Sequence, residues 1–281
     1  MRKLMVATGI LLIIALGWWG VRALIRSTIL SVPADLAQAS SVVGLGDSVT
    51  AGDGLDLGSN PTPEEQACLR SPSAYPNVIA QTGSRPVRAY ACSGAQVANG
   101  LLQPYTVKDQ TLMPQIQAAK PYLHGSLVVM TAGINDVGGL DLLGSCVTGT
   151  CNGSDLAALP ARLQVMRQNL NAALAAIMAE RPHKVLVNTY YYLLGPQDTC
   201  FVNYGVTAAK ITRIHQLEQQ LNDQISAAAK QAGATVVQID FSGHTLCSRD
   251  PWIGGLGSPA PLHPNGEGQK NIAAQDLAVL H

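Results

Sequence analysis

Ser48 follows Gly46-Asp47 directly after the apolar run Ser41-Val42-Val43-Gly44-Leu45, and His263 stands alone in Pro261-Leu262-His263-Pro264-Asn265, near the far end of the 281-residue chain. A serine hydroxyl is a weak nucleophile until a base takes its proton, and a histidine brought close by folding is the usual base. Together these two residue types can carry out acyl transfer, with attack on an ester carbonyl and the imidazole moving the proton. The tetrahedral oxyanion then needs donors about 2.7–3.1 Å from where its oxygen will sit. Ser48 offers its own N–H. Gly94, in Cys92-Ser93-Gly94-Ala95, lets the backbone approach closely and supplies a second amide. Asn135, in Gly133-Ile134-Asn135-Asp136, offers a side-chain amide as a third donor.

For these pieces to meet, the elements between them must bring the chain back to one edge. Short apolar runs rich in β-branched residues predict strands at Ser41–Leu45, Val87–Ala91, Ser126–Thr131, Lys184–Thr189 and Ala234–Ile239. Helical stretches are expected at Pro72–Gln81, Thr111–Ala119, Asp155–Ala179, Thr207–Gln231 and Glu267–Leu280. In Asp155–Ala179, Leu159, Leu163, Val165, Met166, Leu170 and Leu174 recur at helical spacing, and Pro182 follows its end. Strand–helix alternation of this kind argues for an α/β domain with a parallel five-stranded sheet and helices on both faces. All four chemical pieces then fall at or beyond the carboxyl ends of strands, where open sheets build their sites. Two long loops, Ala51–Ser71 and Asp240–Pro264, are expected to wall the pocket.

Composition narrows the function. Eighteen basic residues balance eighteen acidic ones, and no basic stripe offers nucleic acid a footprint. Neither a Walker loop nor a dinucleotide fingerprint follows a strand. Arg2-Lys3 and the apolar run Leu4–Gly20 make residues 1–26 a targeting segment. It reads either as a signal peptide with a small-residue motif at Ala37-Gln38-Ala39 or as an uncleaved membrane anchor with Trp18-Trp19 near one interface. Residues 27–39 are expected as a linker and 40–281 as the single domain, facing outward. Six cysteines (Cys68, Cys92, Cys146, Cys151, Cys200, Cys247) fit an oxidising compartment. They allow fifteen pairings, of which the sequential set 68–92, 146–151 and 200–247 is favoured.

Gly46-Asp47-Ser48, Gly94, Gly133-Ile134-Asn135-Asp136 and His263, in that order, resemble the SGNH hydrolase superfamily of GDSL-type esterases and lipases over roughly residues 41–281. The four name-giving residues map onto Ser48, Gly94, Asn135 and His263. The cysteine spacing is similar to that of secreted bacterial lipases and phospholipases of this group, which supports the sequential pairing. The resemblance implies a three-layer, flavodoxin-like fold, a serine esterase or lipase with no metal or cofactor, and an ester substrate, a lipid among the candidates, whose acyl chain the sequence does not specify. It leaves open a deacetylase or acyltransferase acting on cell-envelope carbohydrate, and a catalytically silent envelope-binding module.

One position departs from the pattern. The family's aspartate three residues before the histidine is here Ala260. The backbone carbonyl of Ala260 is therefore the expected group orienting the imidazole in a Ser–His dyad, with Asp250 as the alternative acid. Asp47 and Asp136 are expected to brace turns, and Tyr190-Tyr191-Tyr192 to pack as aromatics. His124, His183 and His215 are expected to do no chemistry, while His244 is the one rival base.

Overall fold

Parallel strands covered on both faces read as unbroken apolar runs, and two such runs form the middle of this molecule. The structure, a computed structural model, describes residues 32–281; the expected targeting segment 1–26 lies outside them. Among the described residues, the strands in chain order are β1 (Val42–Gly46), β2 (Val87–Ala89), β3 (Tyr105–Val107), β4 (Gln110–Leu112), β5 (Leu127–Thr131), β6 (Lys184–Asn188) and β7 (Thr235–Val237). The helices are α1 (Ala34–Gln38), α2 (Ser48–Ala51), α3 (Pro63–Cys68), α4 (Tyr75–Thr82), α5 (Gln115–Leu123), α6 (Gly139–Thr148), α7 (Ser154–Ala179), α8 (Ala208–Ala232) and α9 (Gly266–Ala278).

The sheet is parallel throughout, in the order β2-β1-β5-β6-β7. With the separate β3–β4 hairpin set aside, this is the 2-1-3-4-5 winding of flavodoxin-like folds. α4 and α9 pack together on one side, while α5, α7 and α8 form the other layer. The chain thus reverses its winding between β1 and β5, and the crevice at their carboxyl ends is where such sheets bind ligands. β1 and β5 are buried along their whole length. α7 buries Leu159, Leu163, Met166, Leu170 and Leu174, whereas Val165, off that stripe, is 55% exposed.

Every expected strand is present, with ends shifted by one or two residues. Thr111, expected in a helix, lies instead in the β3–β4 hairpin opposite Thr106, and α5 begins only after Pro114. Proline's fixed φ and missing N–H suit that boundary. α6 was not expected, because Gly138, Gly139 and Gly144 depress helix propensity. The Cys146–Cys151 bridge and the burial of Leu142 hold it. Cys68–Cys92 and Cys200–Cys247 complete the sequential pairing. Each bridge contributes about 2–4 kcal/mol by restricting the unfolded chain.

The expected linker 27–39 is corrected from Ala34 onward, where α1 belongs to the folded unit Ala34–His281. Leu36 is fully buried, with Gly83 so close that a Cβ there would lie 2.6 Å from the Leu36 Cγ. Asp35 pairs with Lys184 at 2.5 Å and His183 at 3.1 Å. The Asp35 N–H also donates to the carbonyl of His281 at 2.7 Å, tying the start of the unit to the C-terminus. A fragment beginning at Ser40 should therefore be less stable than one beginning at Val32 by about 2–5 kcal/mol, the cost of vacating a buried leucine site. Urea unfolding of the two fragments tests this, and equal midpoints would reject it.

Buried acids give the unit a definite pH response. Burial pushes Asp276 up to about 8, and Asp276 Oδ1 and Asn188 Oδ1 have no partner among the described residues. Burial also raises Glu218 to about 8, Asp47 to about 7 and Asp136 to about 6. A carboxyl that keeps its proton longer when folded gives stability present below its unfolded pKa and lost as pH rises through its folded one. Asp35 runs the other way: its hydrogen bond to Lys184 leads in lowering it to about 2, so its contribution is lost only in strong acid. The melting temperature should peak near pH 4–5 and fall towards pH 8.5. Asp276→Asn should flatten that fall, because a neutral amide pairs with Asn188 at any pH. A wild-type midpoint that rises from pH 5 to 8.5 in scanning fluorimetry would contradict this account.

Candidate active site

β1 ends on Gly46, at φ +126°, a value suited to glycine. The Gln115 side chain clamps this residue, accepting its N–H and donating to its carbonyl, both at 2.8 Å. Nothing in the local residue pattern singles out Gln115 for this role. Asp47 then caps α2, its Oδ1 accepting the Val49 N–H at 3.0 Å. Capping thus falls to Asp47, and the Ser48 hydroxyl is left for another partner. Gln269 of α9 pins the same helix by donating to the Val49 carbonyl at 2.9 Å.

The partner of Ser48 comes from 215 residues away: His263 Nε2 lies 2.8 Å from Ser48 Oγ. The loop carrying His263 is fixed on several sides. Gly254 N–H donates to the His263 carbonyl at 2.7 Å, and Leu262 N–H donates to Gly254 at 2.9 Å. Asn265 caps α9 through the Glu267 and Gly268 amides and donates to the Pro251 carbonyl at 2.7 Å. Leu262 has φ +69°, an uncommon conformation for a residue with a side chain.

That turn corrects the expected orienting group. Nδ1 of His263 lies 2.9 Å from the carbonyl of Pro261, not that of Ala260. The Ala260 carbonyl instead faces the His263 backbone N–H at 3.4 Å. Leu262, turned back on itself, aims the preceding carbonyl at the ring. Asp250, the alternative acid, has a side chain 80% exposed and pairs with His244 at 3.7 Å. His244 itself stacks on Trp252 and bonds the Asp250 carbonyl at 2.7 Å, so the rival base is engaged elsewhere. His183 is paired with Asp35, and His215 bonds the Leu194 carbonyl at 2.6 Å.

The three expected donors converge as loops after neighbouring strands. Cys92 N–H donates to the Gly46 carbonyl at 3.1 Å, bringing the Gly94 loop to the end of β1. Gly94 has φ +79°, and a Cβ there would meet the Tyr105 hydroxyl at 2.6 Å. Among the described residues the amides of Ser48 and Gly94 donate to no partner. Asn135 Nδ2 donates one hydrogen to the Ala95 carbonyl at 2.9 Å, which leaves its second hydrogen for a ligand. Asp136 braces this loop as expected, accepting the Val97 N–H at 2.9 Å.

From Ser48 and His263 a cleft of about 150 Å³, partly open to solvent, runs over Leu140, Leu142, Leu159, Leu217 and Leu221. Its walls are α6, α7, α8 and the segment after β6. Ala51–Ser71, expected as a wall, takes no part, because Cys68–Cys92 and Arg70, bonded to the Tyr90 and Ala91 carbonyls, draw it to the sheet edge. Among the described residues Glu218 is the one carboxyl along the cleft; its Oε1 accepts the Leu193 N–H at 3.2 Å, and its burial raises it to about 8. The cleft is therefore apolar and uncharged, suited to a hydrocarbon chain attached to the reacting carbonyl.

Residues 45–270 match the model of the GDSL-like lipase/acylhydrolase family. The chain belongs to that family. A lipase from Streptomyces rimosus is 30% identical over 286 residues, covering 95% of this chain and 94% of that protein. Lipase 2 from Streptomyces coelicolor is 29% identical over 273 residues, covering 89% of each. The structure of phospholipase A1 from Streptomyces albidoflavus NA297 superposes with a TM-score of 0.64 at 26% identity, covering 85% of this chain and 98% of that one. As a GDSL-family member with these relatives, the chain is a carboxylic ester hydrolase. Among its described residues no helix is long and apolar enough to cross a membrane.

Proposed function

We propose that this hydrolase cleaves acyl esters through an acyl-enzyme on Ser48. His263 Nε2 takes the serine proton as Oγ bonds to the ester carbonyl carbon. The Ser48 and Gly94 amides and the Asn135 side chain receive the oxyanion. Collapse of the tetrahedral intermediate breaks the carbon–alkoxide bond, and His263 returns the proton to the departing alcohol. Water repeats the sequence to free the carboxylic acid and Ser48. The Pro261 carbonyl keeps Nδ1 protonated, so that Nε2 is the basic nitrogen. The observation that carries this reading is the 2.8 Å contact between Ser48 Oγ and His263 Nε2.

The apolar cleft and the lipases among the relatives support a lipid-like acyl ester as substrate. The same contact favours catalysis over a silent binding module, which has no use for a base on its serine. Three disulfides, and the extracellular lipase of Streptomyces rimosus among the structural neighbours, support action outside the cytoplasm after export by the N-terminal segment, as a secreted or anchored protein.

Hydrolysis of p-nitrophenyl esters from acetate to palmitate tests the reading, together with labelling of Ser48 by a fluorophosphonate. Turnover should rise with chain length beyond acetate and disappear on labelling. A preference confined to acetate would favour a carbohydrate deacetylase, and turnover that survives labelling would reject the serine mechanism.

A further inference from the structure

Tyr190, Tyr191 and Tyr192 leave the end of β6 in a row, yet their hydroxyls go to three different places. Tyr190 donates to the Asp47 carboxylate and accepts the Ile134 N–H at 3.1 Å. One phenol oxygen thus spans the residue before Ser48 and the residue before Asn135. The Tyr190 backbone is itself clamped by Asn222, which accepts its N–H at 2.9 Å and donates to its carbonyl at 2.8 Å. Tyr191 donates to the Leu262 carbonyl at 2.8 Å, while its ring stacks on Phe241 at 4.5 Å. Leu262 is the residue at positive φ between Pro261, whose carbonyl holds the imidazole, and His263 itself. The Tyr192 hydroxyl donates to Gln219, an exposed residue of α8.

We propose that Tyr190 and Tyr191 are positioning residues, one phenol for each half of the Ser48–His263 pair. Tyr190 sets the nucleophile turn against the Asn135 loop. Tyr191 restrains Leu262 so that the imidazole meets Ser48 Oγ. The inference rests on the acyl-enzyme reading above. Its physical basis is the common mooring: side chains of consecutive residues in an extended segment leave on opposite sides, so one strand end can hold two loops that come from opposite ends of the chain. Ser48 and His263 share a single hydrogen bond, and slack on either side degrades the same contact.

The test compares Tyr190→Phe, Tyr191→Phe, the double variant and Tyr192→Phe at a temperature where circular dichroism shows all of them folded. Each ring is kept and only a hydroxyl is lost. With a p-nitrophenyl ester, Tyr190→Phe and Tyr191→Phe should each lower kcat about 10- to 100-fold, the scale of sub-ångström misplacement, with KM within about twofold. The rate of Ser48 phosphonylation should fall in parallel. The double variant should lose less than the product of the single losses, because both singles disturb one contact. Tyr192→Phe should match wild type. Unchanged kcat in both single variants would overturn the proposal, as would purely multiplicative losses. If Ser48→Ala kept wild-type turnover, the acyl-enzyme reading would fail first and this inference with it. An inactive Ser48→Ala beside fully active phenylalanine variants would reject the positioning role alone.

Discussion

Ser48→Ala and His263→Ala should each lower kcat by about 10⁴- to 10⁶-fold, and the double variant should be no worse than either single. The non-additivity follows from the chemistry: without the base the hydroxyl is not activated, and without the hydroxyl the base has nothing to deprotonate. Asp250→Asn supplies the contrast. In a hydrolase whose histidine relies on a carboxylate, losing that group costs about 10⁴-fold in turnover. Here Nδ1 faces the Pro261 carbonyl, and Asp250 is solvent-exposed beside His244. Asp250→Asn should therefore stay within about twofold of wild type, since surface changes away from the reacting groups act weakly. Steady-state kinetics on a p-nitrophenyl ester measures all four proteins. A large loss in Asp250→Asn would mean that the loop from Asp240 to Pro264 rearranges when substrate binds.

Gly46→Ala should be the most damaging small substitution for folding. A Cβ at this position would lie 2.1 Å from the Thr131 carbonyl oxygen and 3.0 Å from the Thr131 carbonyl carbon. Both are backbone atoms of β5, in the middle of the sheet, so no side chain can swing aside. The φ of +126° adds strain for any residue with a side chain. The combined cost should be on the order of 4 kcal/mol or more, among the largest for a point change. For a unit of this size that corresponds to a fall of roughly 10–15 °C in melting temperature. Gly233→Ala isolates the contribution of the backbone angle. It also sits at positive φ, +76°, but nothing lies within 4 Å of its added Cβ, so it should cost only about 1–2 kcal/mol. Similar melting temperatures for the two variants would show that the β1–β5 contact can relax.

Much of this architecture was legible because local pattern and global fold agree. Val42–Leu45 and Leu127–Met130 are apolar and β-branched because both faces are covered, and that is visible in a single sequence. Ser48, Gly94 and Asn135 could be picked out because each lies just beyond the end of a strand, and His263 because it stands alone before the last helix. The cysteine pairs also agreed with the structure. The elements that escaped were held by tertiary contacts: α6 despite its glycines, the β3–β4 hairpin seated with Tyr105 against Gly94, and α1 through Leu36 and Asp35. The buried side chains around the serine turn, Gln115, Gln269 and Tyr190, escaped for a related reason. A glutamine or tyrosine has no periodicity that reveals which group it will meet about 70 or 140 residues away.

The orienting group for His263 marks the boundary most sharply. The residue types around position 263 said that no aspartate stood three residues before the histidine, and so left a backbone carbonyl, expected from Ala260, or the more distant Asp250 to orient it. Which carbonyl depends on the sign of one dihedral, φ at Leu262, and that sign is fixed by bonds from Tyr191 and Gly254. The sequence by itself determined the chemistry available, a serine, a histidine and amide donors in loops of an α/β chain. Only the tertiary structure decided the geometry, because the 2.8 Å approach of Ser48 to His263 and the walls of the apolar cleft come from side chains far apart in the chain that meet only once the sheet has wound.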